Sequence, residues 1–333
     1  MKVHYAAVAA ALLAGCGGGT PPAYHPLSSA PAIGRSWMLA EAKKQWLLYV
    51  SDGASGTVDV YNYRAKHGRL VGQITGLDFP YGQCVDRAGN VYVADNGSAK
   101  IYEYAHGGTA PIATAKDKYG KPDGCAVDPT SGNVAVSNFS GSSSSTSGGL
   151  DVFAGGLGGS QTYYTSANLY RVFPGAYDPS GNFYAQGVSY SGPANFVELP
   201  AGKKKFTMLT GLTIAFPGSV QWDGYYLAAT DQDYQYEYTT MIYRVTVSGS
   251  KVSVVRSTHL TDTCYPGQHY MVAIQPFVTG ISRQKNVVVA GNLNCPDREN
   301  FFDYATGGNP ARSLPEKIAP RAPYGQVVSP PSH

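Results

Sequence analysis

Oxygen-bearing and aromatic side chains recur at matching places along this chain. Asp52, Asp95, Asn138, Gln186, Asp231 and Asn292 each end a short apolar run, and Tyr81, Asp123, Phe173, Ser219, His269 and Tyr324 each open one. Gathered around one mouth, such carboxylates, amides and tyrosines could bind a sugar, a peptide or a divalent cation, and oxygen ligands suit calcium or magnesium. Taken singly, each is read more simply as a cap on a strand end. A second acidic stretch, DQDYQYEY at 231–238, alternates acids with tyrosines. It reads equally as a surface that stacks on sugars or peptides and as a wet hairpin whose tyrosines pack on a neighbour. It lacks the Gly and distal Glu of an EF-type calcium loop. No G-x-S-x-G occurs, so serine hydrolysis has no support.

Those positions need a repeating scaffold. Residues 79–108, FPYGQCVDRAGNVYVADNGSAKIYEYAHGG, hold three β-branched and aromatic runs separated by Gly and Asn turns, which is the pattern of strands joined by tight hairpins. The last run recurs as VDVY (58–61), IYEY (101–104), LDVF (150–153), FVEL (196–199), IYRV (242–245) and FFDY (301–304). The middle run recurs at 48–52, 91–95, 134–138, 183–187, 226–231 and 287–292. Asp-turns precede four of these, at Asp86, Asp128, Asp178 and Asp223, spaced 42, 50 and 45 residues apart. That is the length of a four-stranded unit with variable loops, and each of these aspartates is expected to accept hydrogen bonds from its own turn.

First strands open at FPYGQ, KPDGC, VFPGA and FPGSV, with a degenerate copy at 269–274. The copy missing from the first unit stands at the other end, where PYGQVV (323–328) repeats PYGQCV (80–85). A C-terminal strand completing an N-terminal sheet closes a ring and removes its free edges. The expected fold is therefore all-β: a six-bladed β-propeller over 37–330, with four-stranded antiparallel blades of about 49 residues and the C-terminal strand in the first blade. Composition agrees, with 40 Gly, 22 Pro and 26 Tyr among 333 residues and only 14% charged. The insertion SGSSSSTSGG at 140–149 is expected to be a mobile loop. Residues 35–46 are expected to be an irregular lead-in with at most a turn or two of helix.

The N-terminus reads as an address. Lys2, an apolar stretch over 3–13 and Leu13-Ala14-Gly15-Cys16 follow one another, and the stretch is too short to span a bilayer as a mature helix. The segment resembles a bacterial lipoprotein signal, in which cleavage precedes the cysteine and its thiol takes a diacylglycerol. That resemblance implies that 1–15 are removed, that Cys16 is lipidated and that 16–36 form a flexible tether. It also implies an extracytoplasmic protein on the cell envelope. Gly17 stands where retention in the inner membrane is associated with Asp, which favours the outer membrane.

An oxidising compartment allows the remaining cysteines to pair. Cys84 (PYGQCVD) and Cys125 (PDGCAVD) occupy the same place in adjacent repeats. Of three connectivities, the locality of the repeats favours Cys84–Cys125 with Cys264–Cys295. No C-x-x-C exists and no His stands at ligand spacing from these four. A formal charge of +3 is too weak a bias to argue for nucleic acid, and a monomer is expected.

The pattern P-x-G-x-x-x-D…G-N-V-Y-V-A-D…K-I-Y-E-Y resembles the NHL-repeat class of propeller over nearly the whole mature chain, most strongly in blades two to four. That resemblance implies a binding platform, while some relatives are lyases or lactonases, and fold alone does not choose. Gluconolactonase-like propellers hold a divalent metal through one Glu, two Asn and one Asp. Asp95, Asn138, Asp231 and Asn292 are available here, but the first blade lacks the Glu. A peptide-amidating type of lyase would need histidines suited to zinc, and only His259 and His269 are near each other. The expectation is a lipid-anchored binding or scaffold module for a protein, peptide or glycan, with no resident cofactor. The alternative is a metal-dependent hydrolase or lyase at the channel mouth, using calcium or magnesium.

Overall fold

A computed structural model describes residues 34–65, 68–142, 146–190, 192, 194–233, 239–261, 272–274, 287–292 and 299–331. Residues 1–33 with Cys16, the pair Cys264 and Cys295, His269, and 234–238 of the acid–tyrosine stretch lie outside them.

The described strands form six antiparallel sheets arranged as the blades of a propeller. Blade two shows the unit. Pro80–Val85, Val91–Asp95, Lys100–Tyr104 and Pro111–Lys116 pair in sequence order. The first turn is held by its aspartate: Asp86 Oδ1 accepts the Asn90 N–H at 2.8 Å, and Gly89 takes a φ of 86°, a region glycine enters without steric cost. Asp128 and Asp178 accept their own turn N–H groups in the same way. Asp223 does so too, and it also takes Arg244 at 2.6 Å and the Tyr304 hydroxyl at 3.0 Å.

Each blade buries both of its faces. Alternate residues of one strand point to opposite neighbours. In Leu47–Asp52, Leu47 and Tyr49 pack on Val91 and Val93 of blade two, while Leu48 and Val50 pack on Val289 and Phe301 of blade six. Equivalent clusters fill every gap between neighbouring blades. This explains why the second strands read as near-continuous apolar runs rather than as alternating ones. A fully buried Val, Leu or Phe in such a gap is worth roughly 1.5–3 kcal/mol, so the gaps carry the fold.

Blade one is closed from the far end of the chain. Pro323–Ser329 pairs with Leu47–Asp52 in the register Leu47↔Ser329, Leu48↔Val328 and Asp52↔Pro323, and forms the inner strand beside Thr57–Asn62 and Leu70–Ile74. Two seams reinforce the joint. The Arg312 guanidinium lies 3.5 Å from the Phe301 ring centre and donates to the Tyr63 and Ala65 carbonyls of blade one. The Tyr61 hydroxyl donates to the Ile318 carbonyl.

The lead-in is more ordered than expected. Trp37–Met38 pairs with Gln73 and Gly72 as a fifth, outermost strand of blade one, and Ala40–Lys44 forms a 3-10 helix. Met38 lies directly over Gly72, where a Cβ would come 2.2 Å from its sulfur. Blade four also departs from the pattern. Its inner strand is split into Arg171–Val172 and Ala176–Tyr177 by Phe173-Pro174-Gly175, because Pro cannot donate to a ladder.

Candidate functional face

Antiparallel alternation sends the end of each second strand and the start of each first strand to the same face of the disc. Most of the described residues of the ring anticipated there are deeply buried. Asp52, Asp95, Asn138, Gln186, Asp231 and Asn292 are all at most 3% exposed, and Asp123 and Ser219 are 1% exposed.

The three aspartates that end second strands repeat one device. Asp95 accepts the Asp78 and Phe79 N–H groups (3.1 and 2.7 Å), the two residues that lead into Pro80. Asp231 accepts Ala215 and Phe216 (2.8 and 3.0 Å) ahead of Pro217. Asp52 accepts Arg321 and Ala322 (3.1 and 3.2 Å) ahead of Pro323. In each blade the carboxylate holds the loop that delivers the inner strand, and the proline that follows pairs opposite it, with a register irregularity just beyond. Charge-assisted bonds of this kind are the strong ones. Gln186 makes a related link, accepting Gly218 N–H from blade five at 3.2 Å. Ser219 accepts Val272 N–H from blade six at 3.3 Å.

With these carboxylates turned to backbone, the mouth itself is lined by rings. Tyr81 and Tyr324 stand 4.4 Å apart between ring centres, and Phe79 lies 5.6 and 5.2 Å from them. Phe173 packs edge-on to Phe139 (5.6 Å) and Phe216 (6.0 Å), and Tyr81 also joins that cluster. Close approach of inner strands at the axis is what places them: a Cβ on Gly325 would lie 2.5 Å from the Tyr81 carbonyl. Outward over blades three and four the array continues. Arg171 lies 4.2 Å over Phe139 and 5.1 Å over Tyr170. Tyr170 meets Tyr190 edge-on, and Tyr119 stacks on Tyr163 at 4.9 Å and 9°. Ser147 and Gly148, at the end of the insertion, tie these pairs together by accepting from Tyr163 and donating to Tyr170. Tyr190 is 67% and Tyr119 42% exposed.

Sequence reading placed Tyr81, Phe173 and Tyr324 at this mouth but did not pick out Phe79, Phe139, Phe216 or Arg171. The signal was present in the aromatic–Pro pair that precedes or opens first strands in FPYGQ, VFPGA and FPGSV.

Behind the mouth the inner strands enclose a channel of about 410 Å³, lined among others by Gln83, Ser219, Gln221, Tyr177 and Trp222. Cys84 and Cys125 are joined by a disulfide on its wall, with Cα atoms 5.4 Å apart, linking the inner strands of blades two and three. Among the described residues no three His, Cys, Asp or Glu side chains converge as a metal site, and no helix is long and apolar enough to cross a membrane.

No family model and no curated protein matches this chain. Among solved structures it is similar to a chain in the crystal structure of a nidogen/laminin complex, at 13% sequence identity and a TM-score of 0.62, over 86% of this chain and 99% of that one. At that identity the likeness is one of fold. It supports the class already visible in the six sheets, a six-bladed β-propeller.

Proposed function

We propose that this protein is an NHL-like propeller, held at the extracytoplasmic side of the cell envelope by a lipid on Cys16, which binds a protein, peptide or glycan on its aromatic face. The observation that carries the reading is the division of labour on that face. Asp52, Asp95 and Asp231 are spent on the protein's own backbone, while the rings and the Arg171 guanidinium form a continuous array from Tyr324 to Tyr190. Rings backed by one another lose little entropy on binding and stack on sugar faces or apolar side chains. The similar solved structure is of a complex between two proteins, which fits a scaffold role. The disulfide fits an oxidising compartment.

The test uses defined probes. Surface plasmon resonance of the full chain against a glycan array and a peptide library should give a binder. Tyr81→Ala with Tyr324→Ala, or Tyr119→Ala with Tyr190→Ala, should weaken that binder at least tenfold. Trp222→Ala, at the other end of the channel, should leave it unchanged. Binding that ignores the first two pairs and follows Trp222 would refute the assignment of the face. Cys16→Ala should move the protein from the membrane to the soluble fraction; an unchanged distribution would refute the anchor.

A further inference from the structure

Blade three breaks the aspartate rule. Its second strand carries Asn138 where blades one, two and five carry Asp, and Asp117, in the link from blade two, takes over by accepting the Tyr119 and Gly120 N–H groups at 3.0 and 2.9 Å. Strand register shows where the remaining polar groups point. Val136 pairs with Asp151 and Phe153 with Gln161, so Val136, Asn138, Asp151, Phe153 and Gln161 share one face of the sheet. Val136 and Phe153 pack on blade two, the side from which Asp117 arrives.

Of the four polar groups on this interface, Asp117, Asn138 and Asp151 are left half-satisfied, and Gln161 has neither its amide oxygen nor its amide nitrogen paired. Asn138 Nδ2 donates to Asp151 Oδ2 at 3.3 Å. Asp117 Oδ2, Asp151 Oδ1, Asn138 Oδ1 and Gln161 Oε1 are each buried without a hydrogen-bond donor. Asp117, Asn138 and Asp151 are 2, 0 and 0% exposed. Among the described residues no Lys or Arg forms a salt bridge with either acid. A proton shared between the two acids would satisfy Asp117 Oδ2 and Asp151 Oδ1. It would leave one unpaired negative charge buried, which is strongly unfavourable, and both amide oxygens bare.

We propose that a calcium ion binds between blades two and three, held by Asp117 Oδ2, Asp151 Oδ1, Asn138 Oδ1 and Gln161 Oε1. All four atoms are hard oxygens, and together they carry two negative charges that the ion neutralises. Calcium accepts irregular, mixed carboxylate and amide sets, whereas magnesium demands near-ideal octahedral geometry and keeps its waters. With neither sulfur nor imidazole present, softer metals are disfavoured. The ion ties the link that carries Tyr119 to the strand that leads into the serine-rich insertion. Its role is separate from ligand capture on the aromatic face and does not depend on it.

The test is a calcium titration of the full chain, purified in detergent and stripped with chelator, read by thermal melting and by tyrosine-sensitised terbium luminescence. Tyr163 pairs directly opposite Asp151 in the sheet, near enough to serve as the antenna. Wild type should bind one equivalent, melt roughly 5 °C higher with saturating calcium and show terbium emission that calcium displaces. Asp151→Asn should lose all three responses, yet melt no lower than wild type in chelator, because it removes a buried charge. Asp95→Asn should keep them. Wild type that binds no stoichiometric ion would overturn the proposal. So would responses that survive Asp151→Asn, or that disappear in Asp95→Asn instead.

Discussion

His106 Nδ1 lies 2.7 Å from Ser329 Oγ, so a turn of blade two grips the last residue of the closing strand. The other ring nitrogen, Nε2, lies 3.0 Å from the Gln45 carbonyl at the head of blade one. Burial holds this imidazole below its ordinary pKa of 6.5, so at pH 7 it is neutral and donates from Nε2. As pH falls below 6.5 the unfolded chain takes up a proton that the folded chain resists. The stability tied to this group is complete above 6.5 and is lost as pH falls toward the folded value. Denaturant curves at pH 8, 7, 6 and 5 should therefore show a steeper acid loss in wild type than in His106→Gln. The variant should cost about 1 kcal/mol at pH 8. Parallel pH profiles would show that His106 does not sense the proton.

Asp59 should respond to pH with the opposite sign. Burial raises its pKa from 3.8 to about 6, against the hydrogen bond from Gln73 (2.8 Å) that favours the charged form. The unfolded chain ionises first as pH rises, so the favourable contribution is fully present below pH 4 and is lost as pH passes 6. Asp59→Asn removes a cost on the order of 3 kcal/mol at pH 8. It should melt above wild type there, with the gap closing between pH 6 and 4. A gap that stays constant with pH would show that the gain comes from something other than ionisation.

Cys84 and Cys125 are 41 positions apart in sequence, a loop whose closure by a disulfide is worth about 2–4 kcal/mol. The double variant Cys84→Ala with Cys125→Ala should lose that much in a urea titration, and reductant should lower wild type to the same midpoint. A reductant effect that persists in the double variant would have to come from other cysteines.

Replacing a loop-holding carboxylate should be costly without any ligand present. Asp95→Ala strands two backbone N–H groups and the Ser98 hydroxyl, which donates to it at 2.7 Å. The expected loss is about 2–4 kcal/mol, with a similar loss for Asp231→Ala. Equal stability of Asp95→Ala and wild type would mean that these carboxylates are free for another task.

Much of the architecture was legible because a propeller repeats itself. PYGQVV copied PYGQCV, and that single match gave ring closure and the strand that completes blade one. Cys84 and Cys125 were readable as partners for the same reason. Trp37–Met38 was not, since two residues carry no periodicity and the signal sat instead in Gly72, the position that makes room for Met38. The mouth was located by counting strand ends, but counting could not tell a carboxylate facing solvent from one folded back onto Phe79 N–H. Nor could it find Asp117 and Gln161, which lie at no second-strand end: Gln161 comes beside Asp151 through strand pairing within blade three, and Asp117 comes from the link that precedes that blade.

Closure by Pro323–Ser329 makes this fold a check on its own synthesis. A chain halted anywhere before residue 323 leaves Leu47–Asp52 with a bare inner edge, ready to pair with a foreign strand. Five blades can be assembled while the chain is still being made, but the first blade waits for the last. A nonsense fragment therefore exposes itself to quality control, and only a chain read through to its final strand is sealed.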